Sequence, residues 1–258
     1  KFKQRNSFTL LAGQEFISNN SNSFSGSSTG QTDDRLVLVS AGPTGFTAGS
    51  SMSEYAYASY FGRLNYNLDS KYFVDLSVRN DQSSRFGRNL RGATFYSAGL
   101  MWKAKNEKFL QNVNWLNNLV VKGSIGTSGN SSIGNYQSLA TVGTNLYNSA
   151  PGWGVSSAGN PELSWETQKQ INIGTQATLF NKLNLDIEYF DRVTSSMLIS
   201  VPFPYTSGFS AITSNVGSLK NSGFNANVNF DFIKKKSSFL NVYVNVGYVE
   251  QKITELFQ

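Results

Sequence analysis

Apolar and polar side chains alternate strictly along several stretches of the chain. In residues 224–232, FNANVNFDF, every second position is apolar and each position between is Asn or Asp. Residues 240–248, LNVYVNVGY, repeat the pattern with Leu, Val or Tyr at the even positions. Successive side chains of a β-strand point to opposite faces, so this period of two predicts strands with one apolar and one polar face. A short turn separates the two segments, which predicts an antiparallel pair.

The same alternation recurs through the rest of the chain. The further segments are 8–16, 60–68, 74–78, 96–102, 119–125, 171–179 and 183–189. With the first two they predict an all-β chain of about eight or nine antiparallel strands. Each strand is near the roughly 9–11 residues that cross a bilayer at a tilt.

The connections between these strands are unequal in length. Short turns at 69–71, 180–182 and 233–238 alternate with long connections, rich in Gly, Ser and Asn, at 18–54, 128–163 and 191–222. This asymmetry is typical of outer-membrane barrels, whose turns are short on the periplasmic side and long outside. One connection on the short side, 106–118, is longer and fits a short helical turn or two.

Uncharged amides dominate the predicted polar face, since charged residues make up only 15% of the chain and aromatic residues 14%. A sheet between lipid and a water-filled lumen needs such a face. Aromatic residues on the apolar face near strand ends would form the girdle at the lipid interface. They are Tyr60, Tyr66, Tyr96, Trp102, Tyr189 and Tyr248.

The alternative fold is a soluble β-sandwich that binds carbohydrate or acts as an adhesin, because its strands also alternate apolar and polar residues. The long strands and unequal loops favour the barrel.

The composition argues against catalysis. The chain has neither cysteine nor histidine, so a disulfide framework, a Ser-His-Asp triad and a histidine-based metal site are excluded within it. We therefore predict no enzyme, no cofactor and no metal.

The net charge is +6, but the basic residues are scattered apart from a lysine triplet at 234–236. This distribution argues for a solvated turn at the triplet rather than for nucleic-acid binding. The first residues, KFKQRNSF, lack a signal peptide's apolar region, so a signal was cleaved or the chain starts inside a longer protein.

One long stretch carries a family resemblance. Residues 59–87, SYFGRLNYNLDSKYFVDLSVRNDQSSRFG, resemble the barrel signature of SusC/RagA-type TonB-dependent transporters of Bacteroidetes, with one extra residue and with Gln82 in place of the usual Gly. Three later segments resemble the family's motifs in the same order: 120–137, in which Lys122 replaces the usual Arg, 159–181 and 201–224. Four ordered motifs are more specific than any single one.

The resemblance implies a role for the chain. Such transporters are 22-stranded outer-membrane barrels of Gram-negative bacteria, closed by a plug domain. They import oligosaccharides or peptides with energy from TonB, under a SusD-like surface lipoprotein. Residues 1–258 would then be a portion of the barrel, lacking the plug, the N-terminal extension and the TonB box. The alternatives are a non-transporting scaffold in an outer-membrane assembly or secretion complex, and a small self-contained barrel of eight strands.

Two groups of candidate functional residues follow. The first, for binding glycan or peptide at the external loop 138–160, is Tyr147, Trp153, Asn145, Asn148 and Asn160, because aromatic rings and amides suit sugar faces and hydroxyls. The favoured interpretation is that these rings pack the loop on itself or against the lipoprotein, and direct substrate contact is the alternative. The second group, expected to face the lumen or the plug, is Arg63, Asp75, Arg79, Asp81 and Arg85. Among these we expect Arg63 and Asp75 to pair across strands.

Asp33 and Asp34 are candidate calcium ligands, but two adjacent acids without further ligands are weak evidence, and a solvated loop is the favoured interpretation.

Overall fold

The computed structural model describes residues 5–235 and 237–256, and the side chains of Lys234 and Lys235 are not described. Within these residues lie thirteen strands: β1 Asn6–Thr29, β2 Thr44–Leu68, β3 Tyr72–Ser83, β4 Gly92–Lys103, β5 Leu116–Asn130, β6 Thr141–Tyr147, β7 Ala150–Ser157, β8 Glu166–Leu179, β9 Leu183–Ser195, β10 Leu198–Pro202, β11 Ala211–Asn215, β12 Ser218–Lys235 and β13 Ser238–Glu255. A single helical turn, α1 Lys108–Gln111, lies between β4 and β5. No described helix is long and apolar enough to span a membrane.

Nine of the strands form one antiparallel sheet, in the order β1-β2-β3-β4-β5-β8-β9-β12-β13. The other four form two separate hairpins, β6–β7 and β10–β11. In the described residues β1 and β13 each pair on one side only, so the sheet is an open section of a barrel. The predicted all-β fold of eight or nine antiparallel strands is confirmed.

Hydrogen-bond register brings the apolar positions of all nine strands onto one face. One continuous row of paired residues is Phe8, Tyr66, Val74, Leu100, Gly123, Ile173, Tyr189, Phe224 and Tyr248. The next row, on the opposite face, is Thr9, Asn65, Asp75, Gly99, Ser124, Asn172, Phe190, Gly223 and Val249. The predicted division into an apolar and a polar face is therefore confirmed, with Phe190 and Val249 as exceptions in this row.

The apolar positions form a band that begins at the short turns. On β13 the band runs from Leu240 to Tyr248, after which Glu250 and Lys252 occupy the same face. Nine residues with a rise of about 3.3 Å each, tilted by about 40°, span roughly 23 Å, close to the apolar band of outer-membrane barrels at about 25 Å. The band therefore has the height that a bilayer requires.

The prediction of a long loop at 18–54 is wrong. Strands β1 and β2 continue far beyond the apolar band, and only residues 30–43 connect them. Side-chain hydrogen bonds join the extensions: Ser23 to Ser51 and Ser27 to Thr47, each at 2.6 Å. The extensions are rich in Ser, Thr and Asn on both faces, so they lack the apolar alternation that marks a strand in the sequence.

The long connection predicted at 128–163 is observed at 131–165, nearly as expected. The one predicted at 191–222 is shorter, at 196–217, because β9 and β12 extend into it. Each of these two connections contains one hairpin. The connection at 106–118 does contain a helical turn, as predicted. It is held by Lys105, whose Nζ donates to the carbonyls of Leu110 and Val113, both at 2.8 Å. Of the predicted lysine turn, Lys236 lies outside the described residues.

Candidate functional site

The polar face of the sheet carries charged residues that pair with one another. Arg63 on β2 donates to Asp75 on β3, with Nη2 2.7 Å and Nε 2.9 Å from Oδ2, and Asn65 donates to the same carboxylate. The register places Arg63 opposite Ser77 and Asn65 opposite Asp75, so the ion pair is diagonal. This arrangement leaves no unpaired charge at that point of the wall.

Arg79 links three strands closer to the long-loop end. Its Nη2 lies 2.8 Å from Glu15 Oε2 on β1 and 3.0 Å from Ser59 Oγ on β2, while its Nε donates to Asp81 at 2.5 Å on its own strand. Arg79 and Asp81 are two residues apart and therefore share the polar face. A guanidinium group has several donors in a fixed plane, which allows one side chain to bridge β1, β2 and β3.

Lys122 is the centre of a third charged group, which the sequence analysis missed. The ammonium of Lys122 on β5 lies 3.2 Å from Glu188 and 3.7 Å from Asp186, both on β9. Strand β8 runs between them, and Lys122 crosses it at Gly174, where a Cβ would lie 2.8 Å from Lys122 Cε. A glycine inside a strand often marks such a close approach, and that was the available signal.

A cavity of about 440 Å³ opens beside Lys122. Asn65, Asp75, Ser124, Asn172 and Glu188 contribute polar groups to its lining. Small residues at Gly99 and Gly174 leave the space open. The wall at this point offers hydrogen-bond donors and acceptors, with charge that is already compensated.

A buried hydrophobic cluster lies at the long-loop end of the sheet. It consists of Phe86, Phe95, Leu163 and Trp165, and we call it the loop-end cluster. The ring centroid of Trp165 lies 5.0 Å from that of Phe86 and 5.6 Å from that of Phe95. Trp165 Nε1 also donates to the carbonyl of Arg91 at 2.8 Å, which satisfies the polar atom of the buried ring.

The loop-end cluster joins the first and third of the four motif segments. The amide of Gly87 donates to the carbonyl of Leu163 at 2.9 Å. A Cβ at position 87 would lie only 1.8 Å from the carbonyl oxygen of Pro161, so the approach requires glycine. The SSRFG and NPELSWE stretches are therefore two halves of one contact.

The other two motif segments meet at the same place. Asn215 donates to the carbonyl of Ser164 at 2.8 Å and accepts from its amide at 2.7 Å. Asn130 donates to Glu166 at 3.2 Å. All four motif segments thus converge at the long-loop end, and the side chain of Asn215 there replaces backbone pairing that the loop of Ser164 lacks.

Arg85 belongs to this convergence rather than to the group around Arg79. Its guanidinium lies 4.2 Å from the ring centroid of Tyr55 and donates to Asn135 at 2.8 Å and to the hydroxyl of Tyr57 at 3.2 Å. The structure therefore brings Arg79 and Asp81 together but places Arg85 in the loop between β3 and β4. Its predicted contact with a plug stays a prediction.

The candidate ligand residues are spread along the β6–β7 hairpin and the segment after it. Tyr147 is 85% exposed and Trp153 is 81% exposed, so neither ring packs the loop on itself. Trp153 pairs with Thr144, whereas Tyr147 pairs with Ala150, and the alternation places the two rings on opposite faces of the hairpin. A single flat ligand cannot contact both rings.

The three asparagines of that set differ in their surroundings. Asn148 lies in the hairpin turn with φ of 47°, and the Asn145 side chain lies against Gly154. Asn160 lies after the hairpin and donates to the carbonyl of Thr213 at 3.0 Å, and its Oδ1 accepts from the amide of Glu162. Asn160 thus holds the loop to β11, while binding by Asn145 and Asn148 stays a prediction.

Asp33 is engaged by a neighbour in the β1–β2 loop. Arg35 donates to both of its carboxylate oxygens, at 2.8 and 2.6 Å, and these hydrogen bonds lower the pKa of Asp33 to about 2. Among the described residues no three acidic side chains come together as a metal would require. The interpretation of Asp33 and Asp34 as part of a solvated loop stays a prediction.

The chain matches a known family along nearly its whole length. The family model described as TonB dependent receptor-like, beta-barrel, matches residues 2–256. The chain is 32% identical over 212 residues to TonB-dependent receptor P39 of Formosa agariphila, covering 81% of this chain and 20% of that protein. It is 34% identical over 209 residues to TonB-dependent receptor SusC of Bacteroides thetaiotaomicron, and the match covers 77% of this chain and 21% of that protein. The chain thus spans about a fifth of the length of these relatives.

Solved structures agree with the sequence comparison. The RagAB peptide transporter shares 43% identity and superimposes with a TM-score of 0.90 over 99% of this chain and 29% of that one. The siderophore receptor PirA from Acinetobacter baumannii is 15% identical with a TM-score of 0.61, over 96% of this chain and 34% of that one, and shows the fold alone. These matches agree with the nine-stranded antiparallel sheet of this chain. The chain belongs to the TonB-dependent receptor β-barrel family, as part of a barrel of the SusC/RagA type.

Proposed function

We propose that this chain is one section of the wall of an outer-membrane TonB-dependent importer. The observation that carries the proposal is the 43% identity to the RagAB peptide transporter over nearly the whole chain. The apolar band would face lipid, the long loops the cell exterior and the short turns the periplasm. The rest of the closed barrel, its plug and the contact with TonB would be supplied by a longer polypeptide.

The polar face suits the passage of hydrated, weakly charged solutes. The charges of Arg63, Arg79 and Lys122 on this face are compensated within the wall by ion pairs. Compensated charges and neutral amides hold a passing substrate less strongly than free charges would. We propose that these pairs stiffen the wall and, with the cavity beside Lys122, face the plug rather than recognise substrate.

Peptides are the first substrates to test, because the RagAB structures are those of a peptide transporter. Oligosaccharides are the second class. A SusD-like surface lipoprotein would cover the long-loop end, where the exposed rings of Tyr147 and Trp153 are available to it or to substrate.

Uptake by cells tests this proposal. A strain that lacks the complete protein is compared with the same strain complemented by wild type, using labelled peptide mixtures and labelled oligosaccharides. We expect loss of uptake of one class in the deletion strain, its recovery on complementation, and its abolition when a protonophore collapses the inner-membrane gradient. If the deletion left the uptake of both classes unchanged but disassembled an outer-membrane complex, the protein would be a scaffold and the proposal would be wrong.

A further inference from the structure

The positive charge of this chain is concentrated at one edge of the sheet. The chain has a net charge of +6, yet at the long-loop end and along the polar face basic and acidic residues nearly cancel. Among the residues that the structure describes, the excess lies at the edge formed by the short connections β2–β3, β4–β5, β8–β9 and β12–β13, which we call the turn edge.

Only part of the charge at the turn edge is compensated. Arg5 pairs with Asp69 at 2.8 Å, and Lys71 pairs with Glu107 at 3.0 Å. A third acidic residue there, Asp231, accepts a hydrogen bond from Asn241. The further lysines at this edge are Lys103, Lys105, Lys108, Lys182, Lys234 and Lys235.

These lysines carry more charge than the described acidic residues can balance. Lys103, Lys105, Lys108 and Lys182 form no ion pair with any carboxylate of the described residues. Lys103 instead lies over the ring of Phe73, and Lys105 donates to carbonyl oxygens. Lys108 and Lys182 are exposed. The turn edge therefore presents a surplus of cations to whatever surrounds it.

Exposed aromatic rings accompany the lysines. Trp115 and Phe180 lie at the turn edge with their ring centroids 6.2 Å apart, and Phe109 projects from α1. All three are exposed in the structure. Tyr72 and Trp102, paired in register, mark the end of the apolar band beside them. Aromatic rings interleaved with lysines at the end of an apolar band are the pattern of a membrane interface.

From this juxtaposition we infer that the turn edge is a binding surface for the headgroups of anionic phospholipids in the adjoining leaflet. The inference rests on the orientation given in the proposed function, because it assigns the turn edge to the periplasmic leaflet. Long basic side chains at an interface lie with their stems along the apolar margin and their ammonium groups at the phosphates. An acidic protein would match the charge, but the surface continues the lipid-facing band directly, which favours lipid.

Lipid selectivity of the complete barrel protein tests the inference. The protein is placed in nanodiscs of phosphatidylcholine and phosphatidylglycerol, and spin-labelled versions of each lipid report the fraction held at the protein surface. We expect a preference for phosphatidylglycerol that disappears at high salt, because screening weakens exposed charge pairs. Combined replacement of Lys108, Lys182, Lys234 and Lys235 by Gln should lower the preference by about twofold or more.

A matched variant at the opposite edge is the control. Replacing Arg88, Arg91, Lys169 and Lys252 by Gln removes the same charge from the long-loop end, and we expect the preference to change little. Replacing the four turn-edge lysines by Arg should preserve it, which separates loss of charge from misfolding. Equal losses in both Gln variants, no loss in either, or a photo-crosslinker at position 182 that captures a protein instead of lipid would each overturn the inference. The measurement needs no transport, so it is independent of the uptake experiment.

Discussion

Single residues determine how closely the strands and loops approach one another. Gly87 allows the backbone of the β3–β4 loop to contact Pro161, and Gly174 allows Lys122 to cross β8. Neither position has an unusual φ, so space rather than backbone freedom is the constraint. The effect on stability of replacing either glycine by Ala is therefore steric. It can be separated from an effect of backbone conformation.

Replacing Gly87 by Ala tests the first of these contacts. We expect destabilisation by about 1–3 kcal/mol, because the backbone oxygen of Pro161 must move away from the new methyl group. The temperature at which the complete folded barrel loses its fast electrophoretic mobility measures this change. Gly62→Ala is the control, since a Cβ there meets only ordinary contacts at 3.8 Å or more. Equal melting temperatures for the two variants would contradict the steric account.

Glu107 gives a pH-dependent contribution to stability at the turn edge. The hydrogen bond from Tyr72, and next that from Lys71, lower the pKa of Glu107 below its ordinary value. A carboxyl group with a lowered pKa in the folded state stabilises the fold above its unfolded pKa, and this stabilisation is lost as the pH falls through the folded value. We expect Glu107→Gln to lower the melting temperature at pH 7 and to have a smaller effect at pH 3.

The control for this prediction is Glu162→Gln at the opposite end of the sheet, whose side chain is exposed. This variant should melt like the wild type at both pH values. A Glu107→Gln variant that loses as much stability at pH 3 as at pH 7 would show that the contribution is not the charge of the carboxylate.

At the scale of elements, the sequence predicts those strands that have unlike faces. Strands β12 and β13 can be predicted from the sequence because a wall between lipid and a water-filled lumen has apolar side chains on one face and polar ones on the other. The observed register confirms that these two strands pair. The extensions of β1 and β2 and the hairpin β6–β7 are largely water-exposed on both faces, so no alternation marks them. The ion pair of Lys122 with Glu188 was missed because it depends on the register of three strands, whereas Arg79 and Asp81 share a face by spacing alone.

The loop-end cluster is the element-scale feature that holds the long loops together. Trp165 is buried against Phe86 and Phe95, so Trp165→Ala should destabilise the loop-end region by about 3–5 kcal/mol. We expect faster proteolytic cleavage in the β3–β4 loop, residues 84–91, measured on the complete protein. Trp153→Ala is the matched control, because its ring is exposed, and its cleavage rate should stay near that of the wild type. Similar rates for both variants would contradict the role of the cluster.

At the scale of the whole molecule, the apolar band and the hydrogen-bond rows are inclined to each other. The row that starts at Leu10 remains apolar through Ile171 on β8 and then reaches Asp191, Ser222 and Glu250. Tilted strands require this change from apolar to polar side chains along one row. A row runs perpendicular to the strands, so when the strands are tilted it leaves the plane of the membrane. The change therefore agrees with a tilted section of barrel wall.

Solvent accessibility along β13 tests most directly whether one face of this sheet meets hydrocarbon and the other water. A nitroxide label is placed in turn at each position from 241 to 246 of the complete protein in lipid bilayers, and its collisions with oxygen and with a water-soluble nickel complex are compared. We predict that the ratio of oxygen to nickel collisions is high at Val242, Val244 and Val246 and low at Asn241, Tyr243 and Asn245. A ratio without this period of two, or one with the opposite phase, would contradict the account.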